Sequence, residues 1–297
     1  MASVRGAARS SGAMGAVTRD ATQAATGDAS APESTDAGAR DAATGDASAP
    51  ESKDAVARPV LVLTPEELDL LEEAHAHSLG VEPESDVPVT PARAQALNSL
   101  QGRGLLGGDA RLLEGGALTD LVLLMLDVRV AADALLVVER RLAGSEDRPD
   151  LRLLHLLPSG GVVEDLHPGG WHGLDLHVDP GLLAEQALAT VLPPDARAGE
   201  GDDLVLDLGD PDAAASWGAV LLAELTLARP AGGTEESVLL AVGSSGCHLA
   251  TDPGRTDGRV TFVPTTPEVV QTMVREWVSR VVDPVEDQGE AAAPGIP

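Results

Sequence analysis

The sequence predicts an α+β fold in two related halves, with antiparallel sheet at the centre and helices against it. Three observations predict it. WHGLDLHVDPGLLAEQALATVL (171–192) and GRVTFVPTTPEVVQTMVREWV (258–278) share one grammar: a strand, Asp-Pro or Thr-Pro, then a helix. Each of these units follows three short apolar runs separated by turn residues. Each set of runs is in turn preceded by a strand and a helix start, VLVLT-PEE (60–67) and LVLDL-GDP (204–211). The fold class is therefore a pseudo-two-fold body of two strand-helix-four-strand-meander-helix halves, with central antiparallel sheet or paired sheets flanked by helices.

In the first half, VLVLT (60–64) reads as a strand and Thr64-Pro65-Glu66-Glu67 as a helix start. Thr64 is a cap, Pro65 suits the first helical position, and Glu67 completes a capping box. The helix runs to about Leu79, with Leu68, Leu71 and His75 on one side. Thr90-Pro91 opens a second helix through Leu97 and Leu100, which GRGLLGG (102–108) breaks, and a third helix spans about Ala117 to Val128. Four strands follow at 133–141, 151–157, 162–166 and 174–178, divided by AGSEDRPD, PSGG and HPGG. Asp179-Pro180 then starts a helix with the apolar set Leu182, Leu183, Leu188, Val191 and Leu192.

The second half repeats this order. A strand at 204–208 leads to a short helix from Asp210-Pro211, then strands at 218–228, 237–243, 247–251 and 259–263. Thr266-Pro267-Glu268 begins the last helix, whose apolar stripe is Val270, Met273, Val274, Trp277 and Val281. LRLLHLL (151–157) and GAVLLAELTLA (218–228) are apolar at both parities, which predicts strands covered on both sides. The expected organisation is a tail at 1–58, one domain at 59–282 divided into halves 59–194 and 200–282, and a second tail at 283–297. The first tail has no Leu, Ile, Phe, Trp or Tyr and repeats AATGDASAPES at 24–34 and 42–52. Such composition buries too little apolar area to offset the entropy of ordering. Residues 1–19 carry Arg and Ser and no acid, as transit peptides do, but lack the Leu or aromatic residues of an import helix, so they read as part of the tail.

The formal charge is −28, and residues 59–297 hold 40 acidic side chains against 14 arginines. That surface repels phosphate backbones and anionic lipid, so neither nucleic acid nor membrane is expected as a partner. The acidity is read as solvation, with a basic partner as the alternative. One Phe, three Trp and no Tyr leave little aromatic surface for stacking bases, and the core must be Leu, Val and Ala. A single cysteine, Cys247, excludes an internal disulfide framework. No apolar run reaches the roughly 20 residues that cross a bilayer, and the expected location is cytoplasmic.

The residues offer no catalytic, cofactor or metal site. His167, His172 and His177 are spaced at five, which turns His172 and His177 to opposite sides of one strand. His155 and His248 lie in other strands, and His75 and His77 stand about 200° apart on a helix. GSSGC (243–247) approaches a G-x-S-x-G nucleophile elbow, but Cys247 replaces the last Gly and the segment joins two antiparallel runs. It reads as a hairpin turn. His248 beside Cys247 faces the other way and is no base for it, so Cys247 reads as a small buried hydrophobe. GRGLLGG lacks the Lys and Ser/Thr of a phosphate loop. Glu66/Glu67 and Asp202/Asp203 sit at a helix start and in a linker, where macrodipole and solvation account for them.

Over about residues 60–282 the sequence resembles the EspG family, cytosolic chaperones of type VII (ESX) secretion in actinobacteria. The resemblance rests on VLTPEELDLLEEAHAHSLG (62–80), ALNSLQGRGLLGGDARLLEGGALTDLVLLML (96–126) and GRVTFVPTTPEVVQTMVREWV (258–278). It implies a non-enzymatic chaperone or adaptor with no cofactor. Such a protein binds the tip of a helical secreted client, PE/PPE or WXG-like, and keeps it soluble for export as a monomer or weak homodimer. The partner-binding residues stay unassigned. The alternatives are an acidic structural or regulatory protein and a hydrolase with an unrecognised site.

Overall fold

Among the described residues, ten antiparallel strands form one sheet in the order β1-β5-β4-β3-β2-β7-β8-β9-β10-β6. The first half supplies β1 (Leu61–Leu63), β2 (Ala134–Leu142), β3 (Asp150–Leu157), β4 (Gly160–Leu166) and β5 (His172–His177). The second supplies β6 (Leu204–Asp207), β7 (Ala219–Ala228), β8 (Glu236–Gly243), β9 (Gly246–Ala250) and β10 (Arg259–Pro264). The order reads the same from either edge once β1–β5 are exchanged for β6–β10, so a local two-fold passes between β2 and β7. The structure is a computed structural model, and it describes residues 61–81, 89–142, 149–167, 169–207, 210, 217–229, 235–251 and 258–283. The expected tails 1–58 and 283–297, Asp283 apart, and the short helix expected after Asp210 lie outside these residues.

Five helices are described: α1 (Pro65–Ser78), α2 (Pro91–Gly102), α3 (Ala117–Ala131), α4 (Pro180–Val191) and α5 (Pro267–Val282). Four of them begin with proline behind a Thr or Asp cap. Thr64 forms the full capping box: its hydroxyl accepts from the Glu67 amide at 3.1 Å, and the Glu67 carboxylate accepts from the Thr64 amide at 2.9 Å. α3 runs three residues beyond the expected Val128, since VRVA still fits the helix.

Alternation sorts the strand side chains onto two faces. On one face Leu136, Leu154, Leu156, Leu225 and Leu240 are buried under α4 and α5, which pack on each other and bring Leu183, Val191, Val274 and Trp277 into the same core. This core draws on both halves. On the other face Leu63, Val162 and Leu174 pack beneath α1, α2 and α3 with Leu71, Leu100, Met125 and Leu126. A third cluster, Leu206, Leu239, Ala241, Val260 and Phe262, occupies that same face in the second half, with Trp217 against it.

Two expectations change. Leu182 stands exposed beside buried Leu183, because α4 meets the sheet on a face one residue further round. The predicted double coverage also fails at the centre. Leu221, Ala223, Leu225 and Leu227 of β7 are buried beneath the helix pair, but Val220 is 55 % exposed and Leu222, Glu224 and Thr226 are only half-buried. The α1–α3 layer packs on β3, β4 and β5, and no described helix lies over β2 and β7 on that side.

GSSGC is the hairpin turn expected, with Gly243 paired to Gly246 across Ser244-Ser245. Gly246 takes φ +88°, and a Cβ there would lie 2.1 Å from the Ala198 carbonyl oxygen. The close approach lets the inter-half segment bridge to Cys247 and tie in: the Cys247 amide donates to the Arg197 carbonyl, and the Gly199 amide to Thr265.

Candidate functional site: the open strip of the sheet

The half-covered face of β2 and β7 is built by register. One row across the sheet reads Leu151, Glu139, Glu224, Leu239, and the next reads Leu153, Val137, Thr226, Ser237. Leu135 and Ala228 continue the strip at one end, and Arg141 and Leu222 at the other. All but the buried Leu239 and the exposed Arg141 are half-buried. The strip is therefore a band of aliphatic side chains with a polar middle, lying between α3 and the Trp217 cluster. Such a band is the surface an amphipathic helix can cover.

Glu139 and Glu224 face each other in the middle of the β2–β7 ladder, beside the local two-fold. Like charges directly opposite in a ladder oppose pairing. Arg141 moderates the repulsion by donating to Glu139 at 3.0 and 3.2 Å, and the Ser237 hydroxyl donates to Glu224 at 3.4 Å.

The wall of the strip is set by an ion cluster beneath α3. Glu164 of β4 is 1 % exposed and accepts from His172 Nδ1 at 2.7 Å, His155 Nε2 at 2.9 Å and Arg129 at 3.1 and 3.3 Å. Arg129 also pairs with Glu72 of α1, so one guanidinium pins both helices to the sheet. Burial pushes the Glu164 carboxyl up, but the two histidine hydrogen bonds and the Arg129 charge together hold it well below the usual carboxylate range. A second tie joins His75 of α1 to Asp127 of α3 at 2.8 Å.

The sequence places each histidine in a separate element, and the fold brings two of them together. His172 and His177 do face opposite ways, as five-residue spacing requires. His155 and His172 nevertheless converge, because β3 and β5 flank β4 and both turn the same parity toward the helices. The available signal was Glu164, a charge inside the apolar run VVEDL. The Arg129 guanidinium on Glu164 opposes a cation there, and among the described residues no His, Cys, Asp and Glu cluster has the geometry to hold a metal ion.

Cys247 is fully buried in the α4/α5 core. Burial pushes its thiol up, and the Glu268 charge adds to this, so the thiolate that attacks carbonyls is disfavoured. His248 is turned to the opposite face, edge-on to Trp217 with ring centroids 5.1 Å apart. Beside α5, a recess of about 580 Å³ lined by Glu236, Val238, Thr251, Met273 and Trp277 opens broadly to solvent. Among the described residues no helix is long and apolar enough to cross a membrane.

No family model matches the chain, and no curated protein matches it. A solved structure does. The Mycobacterium tuberculosis type VII secretion system chaperone EspG5, in complex with the PE25-PPE41 dimer, is similar over 74 % of this chain and 96 % of that one. The identity is 11 % and the TM-score 0.49.

Proposed function

We propose that this protein is a non-enzymatic chaperone or adaptor of the cytoplasm that takes a helical segment of a secreted, PE/PPE-like client onto the open strip. The observation that carries the reading is the strip itself. Leu135, Val137, Leu151 and Leu153 are half-buried on the centre of the sheet, where the opposite face is buried beneath α4 and α5 through Leu136, Leu154, Leu156 and Leu225. An aliphatic band of this kind marks a binding surface more readily than a solvated one. The sequence resemblance to the EspG family points to the same activity. A rigid sheet with helices clamped by buried ions suits a protein that holds a partner without changing it chemically.

Co-expression with any small helical proteins encoded beside its gene, followed by size-exclusion chromatography, tests the reading. A client is expected to co-elute with the chain. Val137→Asp is expected to abolish the complex while leaving the far-UV circular dichroism unchanged. A chain that co-elutes with none of these proteins is not their chaperone.

A further inference from the structure

We infer that residues 197–200 act as a strap that positions Trp217, and with it one wall of the strip, through the GSSG turn (243–246). The inference rests on the docking reading above and names Gly199, Gly243 and Gly246 as positioning residues for its site. Pairing places four segments side by side at this end of the sheet. Ala219 of β7 pairs with Gly243 of β8, Gly243 with Gly246 of β9, and Cys247 of β9 with Ala198 of the strap. The turn therefore has the start of β7 on one side and the strap on the other.

Backbone meets backbone on both sides. Toward the strap, the Cys247 amide donates to the Arg197 carbonyl at 3.0 Å and the Glu200 amide to the Ser245 carbonyl at 2.9 Å. A Cβ at Gly199 would lie 2.0 Å from the Cys247 carbonyl oxygen, and one at Gly246 2.1 Å from that of Ala198. Toward β7, the Ser244 amide donates to the Gly218 carbonyl at 3.3 Å. A Cβ at Gly243 would lie 2.7 Å from that carbonyl oxygen and 2.9 Å from the Trp217 ring. Glycine at each end of the turn thus has a use: one admits the strap and the other admits the indole. Atoms packed this closely leave no slack, so a shift of the strap passes to the turn and from the turn to Trp217. Trp217 and Leu222 of the strip pack against the same third cluster, and the indole stands edge-on to His248. The segment that joins the two halves consequently holds one wall of the docking surface in place.

Gly199→Ala in the full chain tests this, because the groups its Cβ meets, Cys247 and Pro264, belong to neither the indole nor the strip. The three tryptophan indole N–H signals are separate reporters in a nitrogen-15 correlation spectrum, that of Trp217 being assigned by its loss in Trp217→Phe. Gly199→Ala is expected to move the Trp217 signal and to leave that of Trp171, beside β5, in place. It is also expected to weaken binding of a synthetic Leu-striped amphipathic helix about tenfold, followed by fluorescence anisotropy. Hydrogen exchange of the unsubstituted chain asks the same question without a variant. The amides of Glu200, Cys247 and Ser244 are expected to open together, at lower urea than the global transition. An unmoved Trp217 signal overturns the strap inference and leaves the docking reading standing. So does a Ser244 amide that stays protected while Glu200 and Cys247 open, or equal peptide affinity before and after Gly199→Ala. An unsubstituted chain that binds no such peptide, with Trp217 moved in Gly199→Ala, overturns the docking reading and leaves the coupling of strap to indole standing.

Discussion

Glu164 shows how one side chain can govern the position of a whole layer. It is a buried carboxylate with four hydrogen bonds, and through Arg129 it reaches α3 and α1 together. Removing one partner of a buried ionic group strands the others, at a cost of about 3–5 kcal/mol. Glu164→Gln is therefore expected to lose stability on that scale in urea denaturation at pH 7. The pH dependence has a definite sign. Its folded carboxyl titrates below its unfolded value, so its contribution is fully present above the unfolded pKa of about 4.3 and is lost as the pH falls toward the folded value. The gap between wild type and Glu164→Gln should thus begin to close only below about pH 4.3. A gap that closes between pH 7 and 5 would show that Glu164 is not held ionised by this cluster.

At the scale of elements, the sequence was most legible where the backbone chemistry is local. Every Thr-Pro or Asp-Pro predicted to start a helix does so within the described residues, because cap and ring act inside one turn. Thr64 and Thr90 differ in one respect: only Thr64 has the reciprocal Glu67 bond, and Glu67 also accepts from Arg103 beyond the end of α2. Thr64→Ala is accordingly expected to cost about 1 kcal/mol, and Thr90→Ala distinctly less, by chemical denaturation. Equal losses would mean the box adds nothing. Sheet coverage was less legible. GAVLLAELTLA is apolar at both parities whether a helix of the same chain or a partner covers the second face, so composition alone predicted two covered faces. The Glu164 cluster was harder still, since His155 and His172 meet only once three strands are in register. Strand-by-strand reading separates residues that the ladder joins.

Across the whole sheet, the two halves are related by symmetry without being independent. Residues 59–194 and 200–282 meet along the full β2–β7 ladder, from Leu135 opposite Ala228 to Leu142 opposite Leu221. Their largest core is common property: Leu136 and Leu154 of the first half, Leu225 and Leu240 of the second, and α4 against α5. Separating them would expose the inner face of each helix and leave β2 and β7 as long apolar edges, which invite aggregation. Each half alone would also forfeit about 1.5–3 kcal/mol for every large side chain uncovered, against a net stability of only about 5–15 kcal/mol for a whole domain. The division into halves is therefore expected to be evolutionary and not thermodynamic. Residues 59–282 should unfold in one calorimetric transition whose van't Hoff and calorimetric enthalpies agree. Fragments 59–194 and 200–282 should be unfolded or aggregated when expressed apart, and should recover β-sheet dichroism when refolded together. Two resolved transitions, or a fragment that folds alone, would place the cooperative boundary between Ala196 and Asp203 and make the shared core an interface between two domains.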